Sequence, residues 1–202
     1  MDDPAVRSDA PQGGTCAQCG KVLTPADTVV AGDRAFCRSC YESLVAELRR
    51  GITAITTDVN YPLATIGAVL GGVAGIAIWW GVTVFTHVAF GLVAVAIGWL
   101  AGQGAVRFAG HKRSVGLQVI AVVVSLASFA VASYLVNMTF INKVLADRGV
   151  ADRVPFPPPS LVVFYKVVTA GFGVMDLVFL AIVVWEAWSI PRPPKMPASA
   201  PA

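Results

Sequence analysis

The spacing of apolar and polar positions changes character along the chain. Between Thr15 and Arg50 the segments are short and mixed. Thr28-Val29-Val30 and Ala35-Phe36 flank Gly32 and Asp33, which predicts a β-hairpin. Tyr41 to Arg50 places Leu44, Val45 and Leu48 on one face, which predicts a helix ended by Arg49, Arg50 and Gly51. Ile52 to Asn60 then reads as a polar, β-branched connector. From Leu63 to Val106 there is no charged side chain at all. One membrane crossing takes about 20 residues, so this stretch suits two.

Apolar blocks return at Val115–Asn137 and Leu161–Ile190. They have bilayer length and lack an amphipathic stripe, so membrane helices are expected at about 63–84, 87–107, 115–137 and 173–190. Tyr61 and Pro62 open the first, and Thr86 and His87 form the hinge before the second. Asn142 to Ser160 is expected as a loop, with Pro155, Pro157, Pro158 and Pro159 blocking regular structure. The final block exceeds one crossing. We expect an interfacial piece from Leu161 to Gly171, a break at Gly171 and Gly173, and then the fourth helix. That register puts Asp176 in a first helical turn, where the helix dipole favours it. The rival register puts Asp176 in mid-membrane, where a carboxylate is functional by default.

Composition supports a membrane protein. Apolar residues make up 56%, charged residues only 13%, and mean hydropathy is +0.70, which leaves too few charges to cover a soluble surface. The overall class is mainly α, a four-helix transmembrane bundle at 62–190 preceded by a small module at 15–50. Met1 to Gly14 is acidic and rich in Pro and Gly, so it reads as a disordered lead-in without a cleavable signal peptide. Residues 191–202 read as a disordered tail. Eleven of the 15 Lys and Arg residues fall before the first helix, in the 107–113 loop or after the last helix, and four on the other side. That bias places both termini in the cytoplasm.

All four cysteines lie in the module, as Cys16-x2-Cys19 and Cys37-x2-Cys40. Two such knuckles can present four sulfurs to one tetrahedral ion, so a single structural Zn²⁺ is expected. Gly20 supplies the permissive residue after the first knuckle. A core this small cannot hold a fold unaided, so metal binding contributes folding free energy. The same spacing also serves redox dithiols, but here no βαβ context accompanies it. Four thiolates close the coordination sphere against catalytic water. A cytosolic location keeps the thiols reduced. The stretch CAQCGKVL…VVAGDRAFCRSCY resembles zinc ribbons and half of a LIM domain, although no histidine is present and only one site can be built.

Within the membrane blocks, Gly67, Gly71 and Gly75 recur at i+4, as do Gly98 and Gly102. Helices in lipid associate through such bare faces. The two faces are expected to meet inside the first hairpin, with a homodimer seam as the alternative. Gln103 is expected to hydrogen-bond across helices, since an unpaired amide in hydrocarbon is costly. Ala121, Ser125, Ser128 and Ala132 give the third helix a small-residue face.

The run GAVLGGVAGIAIWWGVTV…FGLVAVAIGWLAGQGAVRFAGHKRSVGLQVIAVV, with VMDLVFLAIVVWEAW, resembles a group of uncharacterised bacterial multi-pass membrane proteins with an N-terminal zinc-ribbon- or B-box-like module. The resemblance implies a bacterial inner-membrane protein and brings no catalytic residues. Rhomboid proteases also carry such modules at times, but their G-x-S-G motif is missing from this sequence.

The expected function is therefore a non-enzymatic adaptor. A cytosolic zinc module would bind an unidentified protein partner, and the helices would hold it in the lipid bilayer and allow homo-oligomers. A small transporter or channel subunit using Gln103, Asn137 and Asp176 is the alternative. A redox or membrane enzyme comes last, because His87 and His111 are expected on opposite sides. No nucleic acid is expected, since Lys21, Arg34 and Arg38 are offset by Asp27, Asp33 and Glu42.

Overall fold

A computed structural model describes residues 14–24, 26–86, 93 and 95–194. The chain divides into two compact units that part between Ile55 and Thr56. The lead-in at 1–13, the tail from 195, His87 and the start of the second expected membrane helix lie outside the described residues.

In the first unit, β1 (Thr28–Ala31) pairs antiparallel with β2 (Arg34–Cys37), with Val29 opposite Phe36 and Val30 opposite Ala35. The two-residue turn puts Gly32 at φ +61°, a conformation that glycine adopts without Cβ strain. Helix α1 (Arg38–Thr56) starts directly after β2. Cys16, Leu23, Val29, Phe36, Cys37, Tyr41 and Val45 form the core. The helix is longer than expected, because it runs through Gly51 and takes in the first part of the supposed connector. Gly51 sits in open space, and one exposed glycine costs a helix only about 1 kcal/mol. The stop comes at Thr57 and Asp58, the latter at φ +53°.

The second unit contains α2 (Tyr61–Thr86), α3 (Val95–Phe108), α4 (Val115–Asp147), α5 (Leu161–Thr169) and α6 (Val174–Ser189). Helices α2 and α4 are each long and apolar enough to cross a membrane, and α5 with α6 makes a third candidate if the bent pair is one span. Helix α3 shows 14 described residues, fewer than a crossing takes. The expected break falls between α5 and α6, which meet at 108°.

Polar side chains set the helix starts. Asn60 Oδ1 accepts the Leu63 N–H at 3.1 Å, Ser114 Oγ that of Leu117 at 3.2 Å, and Ser160 Oγ that of Val163 at 3.3 Å. Helices α3 and α4 end in glycine-based Schellman turns. Gly110 and Gly149 both sit at φ +71°, with His111 N–H bonded to Val106 O and Val150 N–H to Leu145 O, each at 2.9 Å. The 33 residues of α4 span about 50 Å, more than the roughly 30 Å of hydrocarbon. Expecting it to end at Asn137 equated the end of apolarity with the end of the helix. The chain continues helically through Lys143 to Ala146, and Asn142 then clamps the returning loop through bonds to Val154 N and O.

The glycine faces do not meet as expected. Gly67, Gly71 and Gly75 do face α3, where a methyl group would collide with Gly104 O, Leu100 O and, at 2.8 Å, Ile97 Cα. Gly98 and Gly102 instead face α6. A methyl at Gly98 would lie 2.5 Å from Val183 O, and one at Gly102 would lie 3.1 Å from the Ile190 side chain. At about 100° per residue, Ile97, Ala101, Gly104 and Phe108 share one face, and Gly98 and Gly102 lie about a quarter-turn away. Gly104 is the true partner of the α2 face.

Gly71→Leu is accordingly expected to destabilise the helical unit by about 3 kcal/mol, the upper range for overpacking a tight contact. Gly81, where nothing lies within 4 Å, should accept Ala with a change below about 1 kcal/mol. Thermal unfolding of both variants in detergent measures the contrast.

Candidate metal centre

The first knuckle is a tight turn pinned to the hairpin. Cys16 N–H bonds Lys21 O at 2.8 Å, Gly20 N–H bonds Cys16 O at 2.9 Å, and Gly20 adopts φ +71°. Ala17 N–H bonds Ala35 O at 2.9 Å, which docks the turn on β2. The second knuckle straddles two elements, with Cys37 closing β2 and Cys40 in the first turn of α1. The fold thereby gathers Cys16, Cys19, Cys37 and Cys40, whose four Sγ atoms all lie within 4.8 Å of one another. All four are free thiols.

The spacing fits a metal. Thiolates at about 2.3 Å from a tetrahedral ion stand about 3.8 Å apart, and Cys19 Sγ to Cys37 Sγ measures 3.8 Å. Hydrogen bonding also fits. The Cys37 N–H donates to Cys16 Sγ at 3.3 Å, an outer contact of the kind that orients metal ligands.

The thiols titrate unequally. The Cys37 N–H, followed by those of Cys19 and Gln18, brings Cys16 down to about 6 against the opposing effect of burial. The Ser39 hydroxyl, 3.4 Å from Cys37 Sγ, lowers Cys37 with help from the Cys40 N–H. Cys40 is pushed up to about 12, first by the Cys37 thiol, then by Cys19 and burial. Without a cation, one sulfur ionises readily and its neighbours cannot all follow. A thiophilic cation removes that conflict, and its binding must release protons.

The other residues singled out by sequence are dispersed through the second unit. Gln103 is half-buried on α3. An amide that does bond across helices is Gln118, whose Nε2 donates to Trp188 O at 2.7 Å from a position only 3% exposed. It is the first of three amides on α4, followed by Asn137 and Asn142. Asp176 caps α6, with Oδ2 accepting the Gly173 N–H at 2.8 Å. Asn137, named only as thin support for transport, donates Nδ2 to Val167 O at 2.9 Å and Val168 O at 3.3 Å.

No protein-family model, no curated protein and no solved structure matches this chain.

Purified protein should carry one metal ion per chain by mass spectrometry, and Cys37→Ser/Cys40→Ser should carry none. Protons compete with the metal for sulfur, so affinity weakens as pH falls. Metal retention followed by dialysis should therefore hold at pH 8 and fall as the solution is made progressively more acidic.

Proposed function

We propose that the protein is a four-crossing protein of a bacterial inner membrane that displays a single-zinc module in the cytosol, where the module binds a protein partner. The observation that carries this reading is the closed set of four sulfurs, joined in one chain to helices of membrane-spanning length and apolarity. Four thiolates saturate a tetrahedral ion, which makes the ion a structural element and leaves the module's surface to recognise something else. Zinc suits the set because it is borderline-soft, redox-inert and at home in tetrahedral thiolate sites. The residues assign no nucleophile or acid–base pair, so the reading is non-enzymatic.

The topology draws on two further facts. Arg113 Nη1 donates to Ile190 O at 3.1 Å, and the Tyr61 ring lies against Gly116. The start of α2, the end of α3, the start of α4 and the end of α6 thus share one end of the helical unit. That end carries Arg107, Lys112, Arg113 and Arg192, which favours the cytoplasm. The far end offsets Lys143, Arg148 and Arg153 with Asp147 and Asp152.

Topology and role have separate tests. In spheroplasts, a membrane-impermeant maleimide should label Asp152→Cys directly and Lys112→Cys only after permeabilisation. The reverse pattern would invert the orientation. Crosslinking from the full-length protein should then recover a partner that Cys37→Ser/Cys40→Ser loses while still inserting in the membrane. Equal recovery by the variant would remove the module from partner binding.

A further inference from the structure

The break between α5 and α6 borders a cleft of about 80 Å³ lined by Trp79, Ser133, Asn137, Gly171, Phe172 and Asp176, among others. Three of these present oxygens. Asn137 spends its N–H groups on Val167 O and Val168 O, so its Oδ1 is left as an acceptor. That atom is oriented towards Gly171, where a methyl group would lie 3.4 Å from it. Asp176 gives Oδ2 to the Gly173 N–H and keeps Oδ1. Ser133 lies one helical turn before Asn137 and is 8% exposed. The carbonyl end of α5 and the N-terminus of α6 both meet the break, so their dipoles oppose there and the Asp176 carboxylate is the net charge beside the cleft. A fourth residue points to a guest: Trp79 is 6% exposed, and its indole N–H has no acceptor among the described residues.

We propose that this cleft binds a small monovalent cation together with water, with Asp176 as the charged ligand and Asn137 and Ser133 as neutral oxygen ligands. A single carboxylate balances a single positive charge, and a divalent ion would leave net charge in a low-dielectric surround. A water molecule takes about 30 Å³, so the volume suits an alkali ion and one or two waters. One of those waters accepts the Trp79 N–H. Irregular backbone at a helix break, next to a polar cavity, is where a membrane domain can place such a site. The inference does not depend on the cysteine module.

The test is thermal unfolding of the full-length protein in detergent at fixed pH and ionic strength, with N-methyl-D-glucamine chloride replaced stepwise by NaCl or KCl. A ligand that binds only the folded state raises Tm. A saturable rise of about 2–4 °C is expected with at least one alkali ion. Asp176→Asn keeps an acceptor for the Gly173 N–H and loses the charge, so its Tm should not respond. An unresponsive wild type, or an Asp176→Asn variant that responds equally, would overturn the site. If Asp176→Asn does not fold, Ser133→Ala decides: a severalfold higher half-saturating concentration upholds the site, and an unchanged one overturns it.

Discussion

Where α2 crosses α3 the two backbones touch. A methyl at Gly67 would strike Gly104 O, and one at Gly104 would strike Gly67 O. The rest of the helical unit follows from that approach. Immediately alongside, Ala68, Ala105, Ala121 and Ala187 meet, one from each of α2, α3, α4 and α6, all with no exposed surface. Lipid tails are as apolar as any side chain, so this contact gains by dispersion and close fit and hardly at all by exclusion of water. Further along the axis the filling becomes large, with Trp79, Ile97, Phe129 and Val183 in one layer and the Trp79 and Phe129 rings 5.1 Å apart. The cleft beside Asp176 borders the Trp79 layer.

Polar groups in this unit do a different task from the glycines. Gln118 bonds Trp188 O and Arg113 bonds Ile190 O, both carbonyls at the end of α6. Asn137 bonds Val167 O and Val168 O at the end of α5. Tyr134 donates to Pro155 O in the loop between α4 and α5. Helix ends leave carbonyls without intrahelical partners, and hydrocarbon offers none. At the break itself Asn137 caps the end of α5 and Asp176 the start of α6, which explains how the chain can stop and restart there, while Gln118 and Arg113 cap the opposite end of α6.

Much of this was legible in the sequence, in proportion to how local the signal was. The cysteine spacing, the Gly32 turn, the helix start at Val115 and the Gly171–Gly173 break depend on residues within a few positions of one another. Long-range partners were not legible. The i+4 glycines identified two bare faces, but spacing along a helix fixes only the angle between residues and not the neighbour each face meets. Gly98 and Gly102 were therefore assigned to α2, although α6 occupies that side. Helix α1 was cut short because Gly51 was taken as its stop, and α4 because apolarity was taken to mark helicity. Lys143 to Ala146 are good helix formers whatever solvent surrounds them. Gln103 was named and Gln118 passed over, because no sequence signal says which amide faces a carbonyl end.

The two units owe their order to different sources, and this bears on how the chain can work. Seven residues make up the module's core, and two of them are candidate ligands. Removing the ion would leave a hairpin and one helix, too little to stand alone. Four thiolates around a divalent ion leave a net charge of about −2 on the centre, which N–H donors such as that of Cys37 and nearby cations must offset. Lys21 and Arg38 line a hollow with Cys37, but Asp27 and Glu42 line it too and Arg38 pairs with Glu42 at 3.7 Å, which leaves the offset mainly to the N–H donors. The helical unit needs no ion to hold its backbone contacts. Were the four sulfurs to hold a metal, its loss would bear first on the module, whose own core is small.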